Sequence, residues 1–113
     1  MSSYNLEGVE EMAGGDKDFM KVVVQTFLEE IPPDVDAMNE AISNDNPSLA
    51  YQYAHKMKPN LQLFGLELMD EVKVIESWAK AGRKKDEVPQ AAAKITKKVK
   101  VAGIALRRDF ELE

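Results

Sequence analysis

The chain is predicted to be all-α: an up-down antiparallel four-helix bundle with a short additional helix at its amino end. Three observations carry this reading. Apolar residues recur at three- and four-residue steps along nearly all of the 113 residues, and no segment alternates with period two over a strand length. Glycine, proline, asparagine and aspartate punctuate the periodic segments where helices start and stop. Four long apolar stripes joined by short connections are buried most simply against one another, side by side.

The elements follow in order. Residues 4–12 carry a short amphipathic pattern, Gly14-Gly15 breaks it, and Asp16 is suited to cap what comes next. From there Phe19, Val23, Phe27, Ile31, Val35, Met38 and Ile42 mark one face of a long helix. Pro32-Pro33 lies inside it; a proline ring removes a backbone donor and crowds the preceding turn, so a kink or short break is expected there. Residues 44–46 make a turn, and Asn46-Pro47 caps and opens a third helix that runs to about Phe64 and stops at Gly65. A fourth runs from Glu67 to about Ala81 with Leu68, Val72, Ile75 and Ala79 inward, closed by Gly82. The last places Val88, Ala92, Ile95, Val99, Ala102, Leu106 and Phe110 at near-heptad spacing, the narrow seam of a helix packed close to antiparallel with its neighbours. Met12, Met20, Met38, Met57 and Met69 read as core filler, and Trp78 as core in preference to a cap of the bundle near the site.

Composition bounds the function. A length of 113 residues fits a single domain, 1–113, with Leu112-Glu113 compatible with a remnant of an expression vector. With 44% hydrophobic and 31% charged residues the chain should fold. The absence of cysteine excludes disulfides and a thiol nucleophile and suits a reducing compartment, so a cytoplasmic location is expected. No apolar run approaches membrane-spanning length, which points to no membrane insertion. A net charge of −5 argues against nucleic acid as a partner, and the basic tract at residues 94–100 reads as a solvated helix face.

The single histidine, His55, lies in the third helix. On a wheel of about 100° per residue, Ala50, Tyr53, Ala54, Met57, Leu61 and Phe64 cluster as the core-facing stripe, and His55 falls roughly 140° from its centre, toward solvent. Tyr51, Lys58, Pro59 and Gln62 share or border its face at i−4, i+3, i+4 and i+7. An exposed imidazole that is neutral has a free lone pair and can act as a nucleophile. A phosphoryl group on its outer nitrogen would come within reach of the Lys58 ammonium, with the Gln62 amide as a further donor. Taken alone, a lone exposed histidine is more often a plain surface residue. No orienting carboxylate, serine or second histidine shares the face, so a hydrolase triad is excluded. One histidine with scattered carboxylates gives no metal site of its own.

The stretch AHKMKPNLQLFG resembles the phosphorylation motif of histidine-containing phosphotransfer (HPt) domains, approximately A-H-x-[LIM]-K-G-x-x-x-x-x-G, with Ala54, His55, Met57, Lys58 and Gly65 in register. The segment YNLEGVEEMAGGDKDFMKVVVQTFLEEIPPDVDAMNEAI resembles the family's amino-terminal half, and the remainder matches in helix lengths. The resemblance implies a phosphoryl relay between aspartates of response-regulator receiver domains and His55, stabilised by Lys58. It implies a hybrid sensor histidine kinase upstream, no cofactor of its own, and Mg²⁺ supplied by the receiver. It further implies a receiver docking face that includes Tyr51, Pro59, Gln62 and Gly65. On the next helix the family often has a glutamine or glutamate that orients the histidine, for which Glu76 and Ser77 are the candidates. Pro59 departs from the motif, where glycine is usual, and raises the alternative of a degenerate, non-phosphorylated bundle that binds a receiver or kinase domain as a scaffold. No nucleotide-binding motif is present, so an autonomous kinase is not expected.

Overall fold

Side-chain caps open two helices where the sequence marks them: Asp16 accepts a hydrogen bond from the Phe19 amide and Asn46 one from the Leu49 amide. The computed structural model describes residues 3–112, which contain five α-helices and no strand. These are α1 (Glu7–Ala13), α2 (Lys17–Ser43), α3 (Pro47–Leu63), α4 (Met69–Ala81) and α5 (Val88–Asp109), with a single 3-10 turn at Lys85–Glu87 ahead of α5. Helix α2 packs against α3 and α5, α3 against α4, and α4 against α5, so the four longer helices form a closed cycle of neighbours, and α1 lies on α2. The whole measures 44 × 25 × 24 Å. Among the described residues no helix is long and apolar enough to cross a membrane. Glu113, one of the two residues compatible with a vector remnant, lies outside them; Leu112 packs against the core.

All four longer helices feed one core. Phe27, Ile31 and Met38 of α2, Met57 and Leu61 of α3, Ile75 of α4, and Ile95 and Leu106 of α5 are fully buried, and Val9 adds α1 to the same cluster. The rings of Phe27 and Phe64 meet at 4.3 Å between centroids. Burying a side chain of this size stabilises the fold by about 1.5–3 kcal/mol relative to leaving it exposed.

The structure corrects the sequence reading at several points. The first helix begins at Glu7, not at residue 4, because the Asn5 amide is drawn to the Phe64 carbonyl while its side chain accepts from the Glu7 amide. Helix α2 runs through Pro32-Pro33 without the short break that was one of the two expected outcomes there. The prolines deprive the carbonyls of Leu28 and Glu29 of their usual donors, and Glu29 is open to water, while Ile31, Asp34, Val35 and Met38 stay buried and hold the segment in place. The buried arc of α2 runs through Val24, Phe27, Leu28, Ile31, Val35, Met38 and Ala41; Phe19 is exposed, and Val23 and Ile42 are half-buried. A helix with α3 and α5 both against it covers a wider arc than the single row the spacing suggested. Helix α4 begins at Met69 because Glu67 adopts φ 54°, which no right-handed helix accommodates. Met12 is exposed, Met20 and Met69 are half-buried, and on α4 Trp78 is buried where Ala79 is only half so.

Candidate functional site

On α3 the alanines and large apolar residues divide as the helical wheel requires: Ala50, Ala54, Met57 and Leu61 are buried, Tyr53 is half-buried and His55 is exposed. Helix α4 packs alongside, and the two enclose a shallow cleft of about 280 Å³. Tyr51, His55, Lys58 and Gln62 line it from α3, and Met69, Val72, Lys73 and Glu76 from α4. Four of the residues singled out in α3 therefore do converge, together with Glu76. Val72 is buried, which makes the floor apolar, and the polar groups stand at the rim.

Glu76 does not orient the imidazole in this structure. Its Oε2 accepts a 2.8 Å hydrogen bond from the Tyr51 hydroxyl and lies 3.4 Å from the Lys80 ammonium, which itself sits 5.2 Å over the Tyr51 ring. Those two donors, the hydroxyl first, hold the Glu76 carboxyl below its ordinary value, with further help from the charges of Lys80 and Lys58. The same hydrogen bond holds the Tyr51 hydroxyl above its ordinary value. Tyr51 in turn stands beside the histidine, ring centroids 5.5 Å apart. Among the described residues none makes a side-chain hydrogen bond or ion pair to the imidazole. Ser77 does not line the cleft; its carbonyl accepts the Arg83 amide at the end of α4.

Pro59 and Gly65 lie to one side. Pro59 is exposed and lines a neighbouring groove with Asn5, Gly8, Gln62, Leu63 and Gly65, so Gln62 is the residue common to both hollows. Helix α3 is continuous through Pro59, which leaves the His55 carbonyl without the amide that would normally donate to it. Gly65 has φ 65°, and a Cβ there would come within 2.6 Å of the Asn5 Cβ, so the position is a seat for the amino-terminal segment.

Three further residues were not singled out in the sequence. Lys56, next to the histidine, turns the other way and places Nζ 3.0 Å from Oδ1 of Asp34, a buried carboxylate on α2. The two lysines of the motif therefore separate, Lys56 tying α3 to α2 and Lys58 facing the cleft. Lys73 lines the cleft directly and Lys80 reaches Glu76. The signal for these two was the run Met69, Lys73, Glu76, Lys80 at steps of four, three and four, one face of α4. A larger groove of about 1110 Å³ lies between the amino-terminal segment and α5 and shares no lining residue with the histidine cleft.

The chemistry open to the cleft is narrow: one nucleophilic nitrogen, two ammonium groups for a developing or transferred negative charge, and a carboxylate already satisfied. Comparison with family models, with curated proteins and with solved structures finds no match to the chain.

Proposed function

We propose that the chain is an HPt-type phosphotransfer protein, its α2–α5 arranged as an up-down antiparallel four-helix bundle with α1 as the additional short helix. The observation that carries the reading is the exposed position of the chain's one histidine at the rim of a cleft that also holds Lys58. The lone pair of the outer ring nitrogen attacks the phosphorus of an aspartyl phosphate in line. The N–P bond forms as the P–O bond breaks, and the aspartate leaves as a free carboxylate. Charge spreads over the three equatorial oxygens, and the Lys58 ammonium is placed to stabilise it. The reverse step returns the phosphoryl group to another receiver. Mg²⁺ belongs to the receiver in this scheme, since the cleft's one carboxylate, Glu76, is engaged by Tyr51 and Lys80. A response-regulator receiver and a hybrid sensor histidine kinase are the partners, and the cytoplasm is the compartment, that such a relay requires.

The test is transfer of labelled phosphate from a panel of phosphorylated receivers, with His55→Gln as control. Acid-labile label on the wild type and none on the variant is the expected result. A second reading, a scaffold that binds a receiver or kinase without phosphoryl chemistry, draws on Pro59 and on the engagement of Glu76 away from the imidazole. It predicts receiver binding that survives His55→Gln, with no label on either protein.

A further inference from the structure

We propose that Lys73 is a second cation of the phosphoryl site, gripping from α4 the group that His55 carries while Lys58 holds it from α3; the inference rests on the phosphotransfer reading. Several lysines, Lys97 and Lys100 of α5 among them, make no side-chain hydrogen bond or ion pair among the described residues, but of these only Lys58 and Lys73 line the cleft, while other lysines of the surrounding helices are engaged. Lys56 is tied to Asp34, Lys80 to Glu76, Lys94 to Glu71, and Lys98 to the Leu66 carbonyl. Lys58 and Lys73 enter no side-chain hydrogen bond or ion pair among the described residues, yet both line the cleft with His55.

The charge of the site follows. Glu76 is the cleft's only acid, and it is balanced by Lys80 from outside the lining and by the Tyr51 hydroxyl within it. The two unpaired ammonium groups therefore set the sign, and a phosphoryl group bearing close to two negative charges suits two cations better than one. Lys73 stands four residues after Met69, so the two share one face of α4 and both line the cleft, which gives the aliphatic stem of Lys73 an apolar neighbour below its ammonium. In the transfer step Lys73 forms and breaks no covalent bond; it donates hydrogen bonds to a non-bridging oxygen as the N–P bond forms.

The full chain is treated with phosphoramidate, which needs no receiver. The imidazole attacks phosphorus, the donor's P–N bond breaks and ammonia leaves. Phosphohistidine is followed over time for wild type, Lys73→Gln, Lys73→Arg, Lys58→Gln and Lys97→Gln, the last removing one charge from the groove that shares no lining residue with the cleft. With helix content unchanged, Lys73→Gln is expected to slow formation about tenfold, the order of one charge-assisted hydrogen bond, with Lys73→Arg close to wild type and Lys97→Gln unaffected. If wild type is phosphorylated and Lys73→Gln matches Lys97→Gln, the role of Lys73 is overturned and phosphotransfer through His55 stands. If wild type forms no phosphohistidine with this donor or with any phosphorylated receiver, the phosphotransfer reading falls and the role of Lys73 with it.

Discussion

The ring of Tyr51 lies one turn before the imidazole of His55 on α3, with centroids 5.5 Å apart and planes inclined at 56°. Its hydroxyl is anchored by Glu76 of α4, so the wall beside the histidine is fixed from the neighbouring helix. Removing the hydroxyl in Tyr51→Phe should move the Glu76 carboxyl up toward 4.5, read by NMR titration. The stability effect has a defined window. A carboxyl held low in the folded chain stabilises it above the unfolded value, and that contribution is lost as pH falls through the lowered one. A hydroxyl held high contributes below its unfolded value of 10.0 and loses it as pH rises further. Wild type should therefore exceed Tyr51→Phe in stability between roughly pH 4.5 and 10, with the gap closing on either side.

Lys56 and Asp34 make the corresponding tie between α3 and α2. The carboxylate beside it holds the Lys56 ammonium above its ordinary 10.5, so this contribution is complete below that pH and disappears as pH climbs through the raised value. Removing the cation orphans a carboxylate that is buried, whereas removing Lys80 leaves Glu76 half-exposed and still bonded to Tyr51. Lys56→Ala should lower the melting temperature more than Lys80→Ala at neutral pH.

Pro59 interrupts the hydrogen-bond ladder of α3 at the carbonyl of His55. Pro59→Ala restores the donor in a helix that is already formed, and denaturation should show a gain of about 1 kcal/mol or more. Pro59→Gly should leave receiver phosphotransfer near wild type if a low profile beside the histidine is what the position provides. A gain of about tenfold would instead mark proline as a restraint on transfer.

Gly65 and Gly82 separate two costs of a side chain at positive φ. Their angles, 65° and 64°, are nearly equal, but nothing lies within 4 Å of a Cβ at Gly82, while one at Gly65 collides with Asn5. Gly82→Ala should cost about 1–2 kcal/mol from backbone strain alone. Gly65→Ala should cost more and should loosen the Asn5 amide from Phe64, visible as faster hydrogen exchange at Asn5.

What the sequence made legible is local. Asp16 and Asn46 advertise helix starts, Gly82 a stop, and the seam from Val88 to Leu106 is buried as its spacing requires. The solvent-facing position of His55 with Tyr51, Lys58 and Gln62 beside it follows from one helix's periodicity. What escaped depends on neighbours. Whether Phe19 or Val24 of α2 faces inward is set by the helices against it, and Pro32-Pro33 stays helical because packing on either side outweighs the local penalty. Glu76 was found as a candidate, but its capture by Tyr51 and Lys80 and the arrival of Lys73 at the same cleft need the register of α4 against α3.

The unbroken course of α2 has a consequence for how the molecule comes apart. Its 27 residues span about 40 Å at 1.5 Å per residue, nearly the 44 Å long axis, so one rod touches both ends of the core. A break in the helix at Pro32-Pro33 would have let the two ends melt as separate units. Without one, they belong to a single cooperative unit, and the emission of the lone tryptophan, Trp78 on α4, should change at the same denaturant concentration as the helical circular dichroism.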